Sequence, residues 1–227
     1  MTPMTLLALA AAAFVGTHLL MSHPLRAGLV ARLGERGFGG VYSLVSIALL
    51  GAMAHFYSPA KAAAPAPLWD AGAVGWWIAT LLMWLGSILF VGSLRKNPAF
   101  PSGGAPVSQI GEARGVFAIT RHPMLWGFIL WAAVHAVVNA TAAALVISSA
   151  IVILSLAGGL GQDAKKERLI GEPWRDWKRR TSFVPFRRGF VLPDAFALIG
   201  GTLLWAAATW AHGALGYQPA GLFHFLR

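Results

Sequence analysis

Long apolar stretches, separated by short polar or basic connections, make up most of this chain of 227 residues. Six of them approach or exceed the roughly 20 residues that an α-helix needs to cross about 30 Å of hydrocarbon. The predicted spans are residues 4–21, 39–56, 72–94, 123–138, 142–160 and 196–212. The pattern therefore predicts an all-α fold, a polytopic transmembrane helical bundle of about six spans, in a single domain that covers residues 1–227.

Composition supports a membrane protein and narrows its chemistry. The chain is 57% hydrophobic and 11% charged, which is not the balance of a soluble domain. It contains no Cys, and this excludes disulfides, thiolate metal sites and cysteine nucleophiles. The N-terminus lacks the basic region of a signal peptide, so we expect the first span to be retained. No nucleic-acid-binding module is visible, and the lipid bilayer is the first partner that the sequence implies.

The basic residues are distributed unevenly between the two sides of the predicted bundle. Sixteen of the eighteen Lys and Arg lie in the connections 22–38, 95–122 and 162–193. Positively charged connections face the cytoplasm, so both termini are predicted to face the periplasm or the exterior. Residues 99–118, rich in Gly and Pro, are predicted to form an irregular loop. The connection 162–193 alternates basic and aromatic residues, which favours a cytoplasmic interfacial segment.

The stretch from Ile119 to Asn139 joins a cationic dipeptide to an apolar helix. Pro123 suits the first turn of a helix, so the fourth span should begin there and leave Arg121 and His122 at its mouth. His135 lies in the same helix, about 18 Å above Pro123 at about 1.5 Å per residue. An imidazole inside a membrane span indicates a functional site, and hydrogen bonding between helices is the structural alternative.

A second buried histidine, His18, lies in the later half of the first span. Gly16 lies beside His18, while Ala132 and Ala136 flank His135, and these small side chains leave room for a bulky group. Small residues also suit ordinary helix packing. Both histidines are therefore candidate functional residues, with hydrogen bonding between helices as the structural alternative for each.

Four blocks of this sequence resemble the NnrU family of bacterial membrane proteins. The blocks are HLLMSHPLRAGLVARLGERGFGGVYSL, RKNPAF, ARGVFAITRHPMLWGFILWAAVHAVVN and G-x-x-W-x-x-W-x-x-x-TSFVPF. NnrU proteins are associated with nitric oxide and denitrification metabolism, and the family includes the 15-cis-ζ-carotene isomerases of plants and cyanobacteria, which bind haem b. The Arg-His-Pro motif and the tryptophan segment also resemble the isoprenylcysteine carboxyl methyltransferases, which use S-adenosylmethionine.

The NnrU resemblance implies haem b held between His18 and His135, with Arg121 and His122 as further cofactor-binding residues. A guanidinium such as that of Arg121 can pair with a haem propionate. The implied activity is redox chemistry on a gaseous molecule or isomerisation of a hydrophobic polyene. By helical counting His18 lies about 7 Å from the cytoplasmic face and His135 about 18 Å. A tilted haem or a kinked first span must close that gap, and otherwise His23 or His122 becomes a candidate ligand.

One position departs from the isomerase pattern. A cysteine stands three residues before the histidine of the fourth span in the isomerases, and here that position is Ala132. Ligand exchange through that thiol is therefore excluded.

Two other functions remain open at this point. In a methyltransferase, Arg121 and His122 would hold S-adenosylmethionine, and Glu167, Trp174 and Trp177 would close over it. The third alternative is a non-catalytic membrane assembly factor for a denitrification enzyme. An optical spectrum of the purified protein separates haem binding from both.

Overall fold

The computed structural model describes residues 1–99, 112–218 and 220–221. Their regular structure is helical, and no strand occurs in those ranges. The helices are α1 (Pro3–Ser22), α2 (Arg26–Ala63), α3 (Gly72–Gly92), α4 (Val116–Ile119), α5 (Pro123–Val138), α6 (Ala142–Ile170), α7 (Glu172–Arg180) and α8 (Ala195–Ala214). Most of the predicted irregular loop lies outside the described residues.

Within the described residues, five helices are long and apolar enough to cross a membrane, namely α1, α2, α3, α6 and α8. The apolar helix α5 has 16 residues and is the shorter sixth candidate. The protein is thus an all-helical, multi-pass membrane protein with five to six candidate spans. This confirms the predicted fold class, and the predicted start of the fourth span at Pro123 is the start of α5.

Helix α2 differs most from the predicted boundaries. It already begins at Arg26, inside the predicted connection 22–38, and it continues to Ala63 through Pro59. Gly34 interrupts it with φ 69° and ψ 168°, a backbone conformation that glycine adopts without steric cost. The chain therefore bends at Gly34 and resumes its helix. Pro59 offers no backbone N–H to the carbonyl of His55, one turn earlier, and α2 ends within about one turn of it, at Ala63.

One compact unit consists of residues 1–70 and 135–161. Its core combines large and small side chains of α1, α2 and α6, namely Leu7, Ala10, Ala11, Phe14, Met53, Ala60, Ala143 and Ala150. Two contacts tie the turn after α5 to this unit. The indole nitrogen of Trp69 donates to the carbonyl of Val137 over 3.0 Å, and the side-chain amide of Asn139 donates to the hydroxyl of Tyr57 over 2.9 Å.

The second compact unit consists of residues 71–134 and 162–227. Its core includes Ile88, Leu89, Val116, Phe117, Ile119, Trp174, Trp177 and Ala197. Both tryptophans of α7 are fully buried in this core, whereas Leu169, Phe190 and Leu192 are the strongly exposed apolar side chains of the same segment. The apolar face of α7 is therefore turned toward protein.

The outer face of α7 is cationic but locally balanced by two carboxylates. Glu172 accepts hydrogen bonds from Arg179 and Arg175, and Asp176 also pairs with Arg179. The hydrogen bonds from Arg179 and Arg175 hold the pKa of Glu172 below its usual range. Because these pairs are exposed to solvent, each contributes little to the free energy of unfolding.

The basic connections predict the orientation of these helices in the membrane, and reporter fusions test it. A phosphatase that is active outside the cytoplasm should be active when fused within residues 60–68 and silent within residues 165–180, because the basic connections face the cytoplasm. The reverse pattern of activities would show that the chain is inserted the other way round.

Candidate functional site

The mouth of α5 has the geometry that its proline predicts. Thr120 is extended, with φ −155° and ψ 149°, and α5 begins at Pro123. A residue before proline is disfavoured in the helical region, so His122 marks the end of the extended segment. Arg121 and His122 consequently precede the first helical turn, and both are buried.

Arg121 forms a buried ion pair with Asp163 of α6. Its Nε lies 2.7 Å and its Nη2 lies 2.5 Å from the same carboxylate oxygen, Oδ2. The guanidinium also lies over the ring of Phe183, with 5.4 Å from Cζ to the ring centroid. A buried charge is costly unless it is paired, and Asp163 supplies the opposite charge here.

His122 hydrogen-bonds the other oxygen of the same carboxylate. Its Nε2 lies 3.0 Å from Oδ1 of Asp163, so Nε2 carries the proton when the carboxylate is ionised. Its Nδ1 is buried and has no hydrogen-bond partner among the described residues. We call Arg121, His122 and Asp163 the mouth cluster. In it, one carboxylate orients both side chains that the sequence analysis selected.

The segment from Thr181 to Phe186 accepts hydrogen bonds from residues in and beside the mouth cluster. The backbone N–H of Arg121 donates to the carbonyl of Ser182 over 2.8 Å. The hydroxyl of Thr120 and the indole of Trp126 both donate to the carbonyl of Phe183, over 2.6 Å and 2.8 Å. The sequence block TSFVPF is therefore a structural partner of the block ITRHP.

His18 is held inside the first unit by both of its ring nitrogens. Its Nδ1 lies 2.8 Å from the carbonyl oxygen of Phe14, one turn earlier in α1, and its Nε2 lies 3.1 Å from the hydroxyl oxygen of Ser46 in α2. The rings of Phe14 and Tyr42 pack against it, with centroids 4.2 Å and 5.2 Å away. A carbonyl can only accept, so Nδ1 carries the proton and Nε2 has the lone pair.

His135 lies in the last turn of α5, and its carbonyl accepts from the backbone N–H of Asn139 over 3.0 Å. Asn139 contacts Tyr57, whereas His18 contacts Ser46, and eleven residues of α2 separate these two contacts. That rise is about 16 Å, and His135 is one turn, about 6 Å, from Asn139. The contact of His18 and that of Asn139 are therefore well separated along α2.

His23, the alternative ligand nearest to His18 in sequence, caps the end of α1. Its ring lies directly on the backbone of α6 at Gly161, where an added Cβ would come within 2.3 Å of Nε2. Gly158, one turn earlier, has no atom within 4 Å of such a Cβ. Gly161 therefore provides the space that His23 occupies.

The sequence analysis missed Asp163, the residue that joins Arg121 to His122. Its position in the sequence could have indicated it, because it is the first charged residue after the fifth span and Lys165 and Lys166 follow after one alanine. Glu167, considered for a methyltransferase site, instead pairs with Lys178 over 2.9 Å. A carboxylate at the membrane boundary within a basic segment is a candidate partner for a buried cation.

Comparison with known proteins gives two similarities. Over 86 residues the chain is 31% identical to the chloroplastic 15-cis-zeta-carotene isomerase of Arabidopsis thaliana, an alignment that covers 36% of this chain and 23% of that protein. No solved structure matches the chain. The family described as NnrU protein matches residues 6–219, so the chain belongs to the NnrU family.

Proposed function

We propose that this protein binds haem b through His18 and His135 and isomerises a hydrophobic polyene that reaches the site from the lipid. The family and the similarity to a carotene isomerase support an isomerase-like role in a membrane. To that isomerase-like role the proposal adds two points, the chemical class of the substrate and the haem cofactor. The bacterial inner membrane is its proposed location, because the basic connections are typical of that topology.

The observation that carries the proposal is the state of the His18 imidazole. Its Nδ1–H is bound to the carbonyl of Phe14, which leaves Nε2 as the nitrogen with a lone pair. A metal-binding histidine needs this arrangement, in which the second ring nitrogen donates to a fixed acceptor and sets the tautomer. The aromatic rings of Phe14 and Tyr42 give the imidazole an apolar environment. The tautomer suits a metal ligand, and the hydroxyl of Ser46, 3.1 Å from Nε2, would have to move aside for a haem iron to bind there.

Bound haem would supply reversible one-electron chemistry at low dielectric. The residues of the chain would hold and tune it: His18 and His135 bind the iron, and the buried Ala132 lies on α5 where a thiol ligand would otherwise compete. We therefore propose that the iron is bound by the two histidine nitrogens and by no thiol. The role of Arg121 and His122 in binding the cofactor stays a prediction, and the guanidinium of Arg121 is paired with Asp163.

An optical spectrum of the purified protein tests the proposal. We expect the Soret band and sharp reduced α-band of a low-spin haem, because two imidazoles complete the coordination of the iron. His135→Ala and His18→Ala should each reduce haem retention sharply or give a high-spin spectrum. His55→Ala and His212→Ala are the matched controls, and they should leave both spectrum and haem content unchanged.

Two results would contradict this ligand pair or this function. A low-spin spectrum that survives in His18→Ala and is lost in His23→Ala or His122→Ala would assign the second ligand elsewhere. Absence of haem together with saturable binding of S-adenosylmethionine, lost in Arg121→Ala, would identify a methyltransferase. Conversion of a 15-cis polyene by the reduced holoprotein, followed by chromatography, tests the substrate class directly.

A further inference from the structure

The connection between α7 and α8 contains a tight turn. The backbone N–H of Gly189 donates to the carbonyl of Phe186 over 3.0 Å, and Arg187 and Arg188, both exposed, lie between these two residues. Phe186 packs against the core of the second unit, and its N–H donates to the carbonyl of Ile119 over 3.1 Å. The turn is therefore attached to the folded protein and presents two arginines outward.

Apolar side chains after this turn alternate between the core and the outside. Val191 packs against the core, whereas Phe190 is 79% exposed and Leu192 is 70% exposed. The ring of Phe190 stacks on that of Phe186, with centroids 5.8 Å apart and 12° between the ring planes. Phe190 and Leu192 are thus presented outward by a segment that the core holds in place.

These exposed side chains lie at the ends of two candidate membrane spans. Helix α8 begins at Ala195, three residues after Leu192, and three extended residues reach at most about 11 Å. Arg95, just after α3, lies over the ring of Phe196 in the first turn of α8, with 4.6 Å from Cζ to the ring centroid. Apolar and cationic side chains therefore meet at one boundary of the membrane.

The carboxylates of this region are already paired with other groups. The connection 162–193 has nine Lys and Arg and four acidic residues. Asp163 pairs with Arg121, Glu167 with Lys178, Glu172 with Arg175 and Arg179, and Asp176 with Arg179. Asp194, just beyond, accepts from the backbone N–H of Ala197 over 2.9 Å and caps α8. In the described part of the chain, Arg95 and Arg187 consequently form no ion pair with a carboxylate.

We propose that the chain from Phe186 to Leu192 is a lipid anchor that binds the phosphates of anionic phospholipids. Phe190 and Leu192 insert at the boundary between headgroups and acyl chains, where aromatic side chains are favoured. Arg187 and Arg95 meet the headgroup phosphates. The anchor does not depend on the proposed haem chemistry. It also moves the membrane contact away from α7, whose tryptophans are buried in protein.

The absence of Cys from the chain allows a fluorescent label at a single position. Leu192→Cys carries the fluorophore and leaves Phe190 in place, and the full-length protein is reconstituted in phosphatidylglycerol–phosphatidylcholine nanodiscs that contain a nitroxide lipid. The nitroxide is attached near the headgroup end of the acyl chain. We expect strong quenching by the nitroxide and weak quenching by aqueous iodide. Asp176→Cys, on the exposed face of α7, is the matched control and should show the opposite order.

A second measurement concerns the headgroup. The purified protein is mixed with equal amounts of phosphatidylglycerol and phosphatidylcholine, and native mass spectrometry measures the lipid that each variant retains. The wild-type protein should retain phosphatidylglycerol in excess. Arg187→Gln should lower that preference about fivefold, the contribution of one cation near an anionic surface. Arg175→Gln is the matched control and should change the preference less, because its guanidinium already pairs with Glu172.

Three results would contradict the anchor. Quenching of the label at position 192 by iodide but not by the nitroxide would show that the segment lies in water. Shielding of that label from both quenchers would show that another protein chain covers the segment. An equal lipid preference in Arg187→Gln and Arg175→Gln would overturn the contact with headgroup phosphates.

Discussion

Asp163→Ala is expected to destabilise the protein by about 3–5 kcal/mol, the usual cost of removing one partner from a buried ion pair. The substitution leaves the guanidinium of Arg121 buried without a counter-charge and removes the acceptor of the His122 Nε2–H. Folded yield in detergent should fall sharply. The midpoint of thermal unfolding, followed by size-exclusion chromatography of heated samples, measures the effect.

Two further variants distinguish the effect of breaking the buried ion pair from the effect of removing any carboxylate. Asp176→Ala removes the exposed partner of Arg179 on α7 and should change stability by less than about 1 kcal/mol. The double variant Arg121→Met with Asp163→Leu replaces the pair by apolar side chains and should recover much of the stability lost in Asp163→Ala. Equal losses in Asp163→Ala and Asp176→Ala would show that the buried pair is not special.

The membrane spans could be predicted because the hydropathy of a segment indicates directly whether lipid or water surrounds it. In lipid every backbone polar group must be satisfied within the segment, so an apolar run of sufficient length is a helix. The start of α5 was predictable for a local reason as well, since Pro123 favours the first helical turn. The boundaries of α2 could not be predicted in the same way. Gly34 can either bend a helix or end it, and the sequence does not distinguish these two outcomes.

Single candidate residues could be selected from the sequence, but Asp163 and the arrangement around it could not. His18, Arg121 and His122 were identified because polar groups are costly in an apolar setting. The link through Asp163 joins residues more than 40 positions apart, and no local pattern encodes such a contact. Trp174 and Trp177 show the same limit, since their spacing marks an apolar face but does not say whether protein or lipid covers it.

The packing of α3 against α8 depends on glycines at the points of closest approach. An added Cβ at Gly201 would come within 2.5 Å of the Cα of Ile88, and one at Gly92 within 2.8 Å of the Cβ of Ala197. Close to this crossing, the indole of Trp84 donates to the hydroxyl of Thr202 over 2.9 Å. Small residues let the helix backbones approach, as membrane helices require.

Gly201→Leu is therefore expected to separate α3 from α8 and to destabilise the protein by about 3 kcal/mol or more, above the ordinary range for overpacking, because a backbone atom cannot move aside. Gly200→Ala is the graded control: its Cβ would meet the Cγ1 of Val91 at 2.8 Å, a side-chain atom that can rotate away. Gly158→Ala has open space and should be neutral or slightly stabilising. Thermal unfolding of the three variants in one detergent measures the order. Equal midpoints for Gly201→Leu and Gly158→Ala would show that α3 and α8 do not pack as closely as these contacts require.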